Sequence, residues 1–536
     1  MAALPSNPVS PTTNVTYSTC PAILTAPAVK RTFNITAVTA QKALASRSPM
    51  PGSSPVKGQL VLNDRGNDET PIDLTDQLSV ISANPAPSPA PKMLTTGIMY
   101  VRSEDLDPVT GLLRDGVPIE PLILRANAGD CIDINLTNKI DPISDLFKQN
   151  FKWAPPFDLA APGTTAPAQT HASGNVGLHP QLLSYDAATS NGINVGWNVT
   201  WNISQGQTIK NDQVASFGNT TKYEWYAGKI DRNAAGRLVY TPVEFGSLNL
   251  FPSDPVFQHI NGLFGSMIIE PAGSSWKCGE AANPGSCDPP LLGAPPVPYP
   301  PTSRTSATIT LANGATFREF ALMISDTLNS STNKTAPGVQ NITSSSAVNY
   351  RTEPQKFRYE NNATQDFSCM TSNLLGQLNV PSPQQPRTPL LTAEVGDQVR
   401  FRMTHPFGTG TSQVFTLHGH VWQRNPYTNE SRVIGDNKLS QWLGSRDNHG
   451  STDHFDLVVN KAGGESRRAG DYLYTVYLPM QATLGAWGVF RVGHNNQPIE
   501  PNVTCKPVPQ PGYVPVYPKT DMERFTRQPL GVKPNP

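Results

Sequence analysis

Short stretches in which apolar and polar side chains alternate recur along almost the whole chain. Arg31–Ala37 (RTFNITA), Gln59–Leu62, Gly97–Arg102 and Glu224–Ala227 are β-branched or aromatic and bounded by turn residues. A period of two over four to eight residues is the pattern of a half-buried strand. No helical period is sustained over three turns, so the pattern predicts an all-β protein. The punctuation is dense, with 53 Pro and 41 Gly in 536 residues. Three Pro-rich stretches, Asn84–Pro91, Pro289–Pro301 and Pro381–Pro386, cannot donate a ladder of hydrogen bonds. The longest of them marks the expected boundary. The predicted organisation is an extension with first strands (1–95), a β unit (96–288), a Pro-rich linker (289–310), a second β unit (311–500) and a tail (501–536).

An internal echo supports that division. Pro121–Asn138 (PLILRANAGDCIDINLTN) and Pro389–Pro406 (PLLTAEVGDQVRFRMTHP) share an apolar start, a Gly-Asp turn and an alternating run. A Leu-His segment follows each, Leu178–Leu182 (LHPQL) and Leu417–Val421 (LHGHV). Each half then shows an aromatic strand and a Gly-aromatic-Gly element: Tyr223–Gly228 with Gly262–Pro271 (GLFGSMIIEP), and Tyr472–Tyr477 with Gly485–Val492 (GAWGVFRV). Two copies of one sandwich unit explain this order most simply.

Composition narrows the function classes. Lys plus Arg and Asp plus Glu balance at 41 each, which argues against a nucleic-acid binder. No apolar run approaches the roughly 18 residues of a membrane-spanning helix. Six cysteines lack any Cys-x-x-Cys spacing. Cys278 and Cys287 flank a Gly/Pro/Asn-rich segment and are the preferred disulfide; the remaining pairing is left open, with free buried thiols as the alternative. Asn-x-Ser/Thr sequons occur at Asn14, Asn34, Asn135, Asn198, Asn202, Asn219, Asn329, Asn333, Asn341, Asn362, Asn429 and Asn502. Together these features predict a secreted glycoprotein, extracellular or at the cell surface. The first residues have neither a basic nor an apolar leader segment, so either a signal was removed before residue 1 or the chain is a piece of a larger product.

The echoing elements together resemble the cupredoxin domains of multicopper oxidases. The counterparts are Pro121–Asn138, Gly262–Pro271, Gln413–Trp422 (QVFTLHGHVW) and Tyr472–Val492. The resemblance covers most of residues 95–275 and 388–495 and implies two cupredoxin-like Greek-key β-sandwich domains with long loops. It does not carry the copper chemistry with it. A full set of centres in that family takes about ten His ligands and one Cys thiolate, and the chain has nine His. By the resemblance, Gln413 stands where the blue-copper His belongs and Thr416 where a trinuclear-site His belongs. His418 matches a ligand; His420 matches a non-ligand. His179 matches a ligand, and Gln181 occupies its partner's position. The His-Cys-His element is replaced within Thr475–Met480, and the His-x-His ahead of Gly262 within 241–249 and 257–261, where His259 stands alone.

What remains as a metal candidate is a single copper site, or none. His418 and His420 alternate on a presumed strand and so face opposite sides. The segment Asn448–Asp456 (NHGSTDHFD) adds His449 and His454. The candidate ligands are therefore His418, His420, His449, His454 and His179, weighed against His418 and His179 as buried imidazoles bonded to backbone carbonyls and the loop His as simply exposed. No catalytic residue is assigned. Signatures of common hydrolases, zincins and nucleotide binders are absent, the carboxylates Asp186, Glu224, Glu244 and Glu270 are scattered, and Trp197 and Trp201 read as core filling. The expectation is a non-catalytic structural or binding protein with dismantled copper centres, acting through an unidentified ligand, a second copy of itself or an extracellular assembly partner. The alternatives are a copper-dependent oxidoreductase acting on phenols or Mn(II) with a reduced set of centres, and copper sequestration.

Overall fold

The computed structural model describes residues 18–46, 58, 60–67, 90–94, 97–141, 172–195, 199–202, 207–210, 212–255, 257–280, 285–287, 302–330, 343–353, 386–407, 413–476 and 485–493. These residues form strands almost throughout, with two α-helical segments of four residues each, Ala40–Ala43 and Phe257–Ile260. None of the described helices is long and apolar enough to cross a membrane.

Two sheets face each other in the first half. One runs in the order Ile98–Arg102, Lys30–Thr39, Cys131–Lys139, Thr220–Tyr226, Ser184–Tyr185, and the other Leu122–Asn127, Gly265–Glu270, Gly246–Phe251, His179–Pro180. Alternation decides which side chains enter: along Cys131–Lys139, Ile132, Ile134 and Leu136 are buried while Asp133, Asn135 and Thr137 are half-buried. The inward residues meet Leu124, Leu248 and Met267 from the facing sheet, with Trp225 fully buried among them. Each such aliphatic side chain contributes about 1.5–3 kcal/mol on burial. The strand Lys30–Thr39, within the segment read as an extension with first strands, is thus central to this sandwich.

The second half repeats the plan. Its first sheet runs Ser275–Cys278, Ser306–Thr310, Thr316–Ser330, Val399–Phe407, His454–Val459, with Thr343–Val348 added on Thr316–Ser330; its second runs Leu391–Glu394, Trp487–Gly493, Gly470–Val476, Gln413–Leu417, Ser445–His449. Phe320, Phe401 and Phe455 pack against Phe415, Tyr474 and Phe490 between them. Each sheet of each half holds one parallel pair: Lys30–Thr39 with Cys131–Lys139, Leu122–Asn127 with Gly265–Glu270, Thr316–Ser330 with Val399–Phe407, and Leu391–Glu394 with Trp487–Gly493. The echo in the sequence is therefore a structural repeat, with one correction. By sheet position the partner of Tyr472–Val476 is Gly246–Phe251, and the partner of Tyr223–Tyr226 is His454–Val459. The shared aromatic character of the two Tyr-rich strands misaligned them.

The sandwiches meet through a third core. Val38, Met99, Ile123 and Ile268 of the first half pack with Ala321, Met323 and Tyr350 of the second. Strands Ser275–Cys278 and Ser306–Thr310 join the second half's sheet, although the sequence reading assigned them to the first unit and the linker. Disulfides link Cys278 to Cys287 and Cys20 to Cys131. Cys369 and Cys505 lie outside the described residues.

Candidate functional site

Strand Gly246–Phe251 is the axis of the seam between the sandwiches. Leu250 and Phe251 pair with Pro180 and His179 in the first half, and the same strand packs on Val399–Phe407 and His454–Val459 of the second. Gly246 has a φ of +67°, and a Cβ there would fall 1.9 Å from the Asp456 carboxylate, so only glycine lets the two strands approach this closely.

Carboxamides occupy the seam. Gln181 donates from Nε2 to the Thr452 carbonyl (2.5 Å) and accepts at Oε1 from Asn249 Nδ2 (2.9 Å). Asn249, fully buried, also donates from Nδ2 to the carbonyls of Thr452 (3.2 Å) and Asp453 (3.1 Å). A side chain cross-linked in this way holds the 450–453 turn against the first sandwich. Beside it runs a row of rings. His179 stacks on Phe251 (6.2 Å between centroids), Phe251 presents an edge to His259 (5.7 Å), and His259 stacks on Phe407 (5.5 Å). Burial lowers His259 to about 4, so it is a neutral aromatic filler at physiological pH.

The five predicted ligands are dispersed. His179 donates from Nδ1 to the Asn191 carbonyl (2.8 Å), because a carbonyl can only accept, which leaves Nε2 with the lone pair. The presumed strand through His418 and His420 ends at Leu417, and the two residues lie in a turn in which Gly419 has a φ of +74°. His418 is exposed, contrary to the buried imidazole expected for it. His420 is buried against Tyr472 and Phe490. Its Nε2 accepts from the Gly463 N–H (3.0 Å), so Nδ1 carries the proton and donates to the His418 carbonyl (2.9 Å). No lone pair is left for a metal, and burial lowers its pKa. His449 and His454 bracket the 450–453 turn, but His454 pairs with Thr404 while His449 meets His405; His449 is buried and His454 half-buried, contrary to the exposed loop imidazoles expected. Among the described residues no group of three or more His, Cys, Asp or Glu side chains is arranged to hold a metal ion.

The remaining ligand positions do not supply donors either. Thr416 pairs with Thr475 and donates its hydroxyl to the Thr475 carbonyl (3.3 Å). Residues 477–484 lie outside the described residues, as do His171, His494 and Trp197. Neutral carboxamide, hydroxyl and phenyl groups engaged with the fold do not make the imidazole and thiolate set that a blue or trinuclear copper centre takes. The described residues do not fit those centres.

The scattered carboxylates of the sequence reading turn out to belong in part to one buried ionic cluster. Arg402, fully buried, bonds Glu319 (2.7 Å), Glu270 (2.8 Å) and Asp456 (3.0 Å). Arg125 bonds Glu319 (2.9 Å) and lies 3.8 Å from Glu270. Tyr427 donates its hydroxyl to Asp456 (3.0 Å), and Arg400 bonds Glu244 (2.6 Å). Burial, reinforced by the neighbouring Glu319, pushes Glu270 well above the usual carboxylate range, so it holds a proton. Burial acts on Glu319 the same way, but Arg125 and Arg402 outweigh it and hold that group at about 2. Arg125, Glu244 and Glu270 come from the first sandwich and the others from the second, so the cluster is an interior clasp. Asp186 instead caps a turn, accepting from Ala188 N (2.9 Å). Glu224 faces Lys30 (3.8 Å) near the surface.

Of the sequons, Asn219 and Asn429 are exposed, whereas Asn34 and Asn135 pair across parallel strands with Asn135 Nδ2 donating to Asn34 Oδ1 (2.9 Å). Asn202 and Asn329 lie on strands; Asn14, Asn198, Asn333, Asn341, Asn362 and Asn502 fall outside the described residues.

No protein-family model matches the chain, and no curated protein does. Among solved structures, matches are described as a multicopper oxidase (13% identity, 87% of this chain and 89% of that one, TM-score 0.38), the multicopper oxidase mgLAC (11%, 88% and 88%, 0.39) and a copper nitrite reductase from Nitrosomonas europaea (14%, 70% and 84%, 0.33). The chain is similar to copper proteins.

Proposed function

We propose that this protein is a secreted, multicopper-oxidase-like double sandwich without blue or trinuclear copper centres, and that it works as a structural or binding protein. The observation that carries the reading is the carboxamide bridge. Gln181 occupies a position where the resemblance calls for an imidazole. With Asn249 it is bonded across the seam to Thr452 and Asp453. These groups serve cohesion between the halves, a role that leaves no open coordination position for dioxygen.

Two further observations support the reading. Disulfides are typical of oxidising compartments outside the cytosol. The ribbon formed by Trp422–Gln423 and Trp442–Leu443 also presents apolar side chains to solvent, with Val421 47% and Trp442 55% exposed. The test is the visible spectrum of protein loaded with Cu(II): the reading expects no blue thiolate–Cu(II) absorption. An intense blue band would overturn it.

A further inference from the structure

The sequence reading left His405 out of every candidate site, yet the structure sets it against His449. Their ring centroids lie 5.6 Å apart at an interplanar angle of 72°, and both residues are 1% exposed. We propose that His405 and His449 form a two-coordinate site for a soft monovalent cation, Cu(I) or Ag(I).

The positions are set by backbone. His405 lies on Val399–Phe407, where its N–H donates to the Asp453 carbonyl (3.0 Å) and its carbonyl accepts from Thr452 N (2.8 Å). His449 ends the strand Ser445–His449 and pairs with Gln413. The 450–453 turn between them is the one clamped by Gln181 and Asn249, so both imidazoles are held before any ligand arrives. Neither ring nitrogen of His449 has a hydrogen-bond partner among the described residues. A buried polar atom in that condition is costly and calls for a ligand, water or ion.

Charge and geometry select the ion. Two metal–nitrogen bonds of about 2.0 Å, added to the half-width of each ring, span about 6 Å between centroids, close to the separation seen. Burial, with His405 and Arg446 adding to it, lowers His449 to about 3, so its imidazole is neutral and its lone pair is available. Phe455 closes one side at 5.1 Å, and Arg446 lies over the Phe455 ring. Among the described residues no carboxylate or third imidazole joins the two rings, so a divalent ion beside that guanidinium would be under-coordinated, since Zn(II) takes four ligands. A monovalent d10 ion accepts two nitrogens and tolerates an apolar wall. His454 is excluded because it pairs with Thr404, which places its side chain on the opposite face from His405.

The site is independent of the proposed function, since it takes no metal ligand from the seam carboxamides and involves no turnover. The test is an anaerobic titration of thiol-alkylated protein with Cu(I) against a chromogenic Cu(I) chelator, repeated for His405→Phe, His449→Phe and His454→Ala. The phenyl replacements keep the ring volume, and melting curves without metal verify folding. The wild type and His454→Ala should bind one equivalent more than either phenyl variant. X-ray absorption of the Cu(I) form should show two nitrogen neighbours, and Ag(I) but not Zn(II) should raise the melting temperature. Equal stoichiometry in His449→Phe, three or more neighbours around copper, or an equal response to Zn(II) would each overturn the proposal. If a phenyl variant does not fold, two nitrogen neighbours in the wild type with no loss in His454→Ala still support the site, and any other neighbour set refutes it.

Discussion

Replacing Arg402 by Met tests the buried clasp most sharply. The guanidinium is fully buried and is shared by Glu319 at 2.7 Å, Glu270 at 2.8 Å and Asp456 at 3.0 Å. Glu270 holds a proton, so the substitution strands two anions, Glu319 and Asp456, with Arg125 alone compensating the first and only Tyr427 and Ser247 donating to the second. Breaking a buried pair from one side costs about 3–5 kcal/mol, because the remaining charge stays desolvated. Two anions place the expected loss at the upper end, about 5 kcal/mol. Urea unfolding followed by Trp fluorescence reads it, since Trp225, Trp422 and Trp487 are all buried. Neutralising the stranded groups in Arg402→Met/Glu319→Gln/Asp456→Asn should recover at least half of the loss. A single-variant loss under about 1 kcal/mol, or a triple variant no better than the single, would refute the charge argument.

Three other outcomes follow from the same contacts. Glu270 is raised in the folded state, so its contribution is complete below its unfolded value near 4.3 and is lost as pH rises through the folded one. Glu270→Gln should therefore flatten the decline in melting temperature as pH rises above about 5. His259 is lowered from 6.5 to about 4, so the unfolded chain takes up its proton first and stability falls as pH drops through that window, by about 3 kcal/mol. His259→Phe, which keeps both ring contacts, should remove that acid-side loss in pH-dependent urea titrations. The Cys20–Cys131 bridge closes 111 residues and Cys278–Cys287 closes 9. Loop entropy predicts that Cys20→Ser/Cys131→Ser costs about 5 kcal/mol and Cys278→Ser/Cys287→Ser about 2.5 kcal/mol, readable by denaturation under non-reducing conditions.

Much of the architecture was legible because its signals are local. The period of two, the Pro and Gly punctuation and the repeated Gly-Asp turn each act within a few residues, and the Cys278–Cys287 link closes within nine. Strand equivalence was less legible: Tyr472–Val476 and Tyr223–Tyr226 are alike in composition, but sheet position depends on pairing between distant segments. The turn at His418–His420 was hidden in an apparent alternation, and it becomes visible only through Gly419, where a Cβ would press on Tyr472 at 2.9 Å. The ionic clasp carried no local signal at all. Arg125, Glu270, Glu319, Arg402 and Asp456 sit on five separate strands and look like unremarkable surface charges until the sheets assemble. His405 was passed over for the same reason, as its partner His449 lies on a strand of the other sheet.

Dioxygen uptake measures the central claim most directly. Protein reconstituted with excess Cu(II), freed of loose metal and supplied in turn with a phenol and with Mn(II), should consume oxygen no faster than the same buffer without protein. Sustained uptake coupled to substrate oxidation would contradict the account, because it would require copper centres that the seam residues Gln181 and Asn249 and the paired Thr416 and Thr475 do not provide.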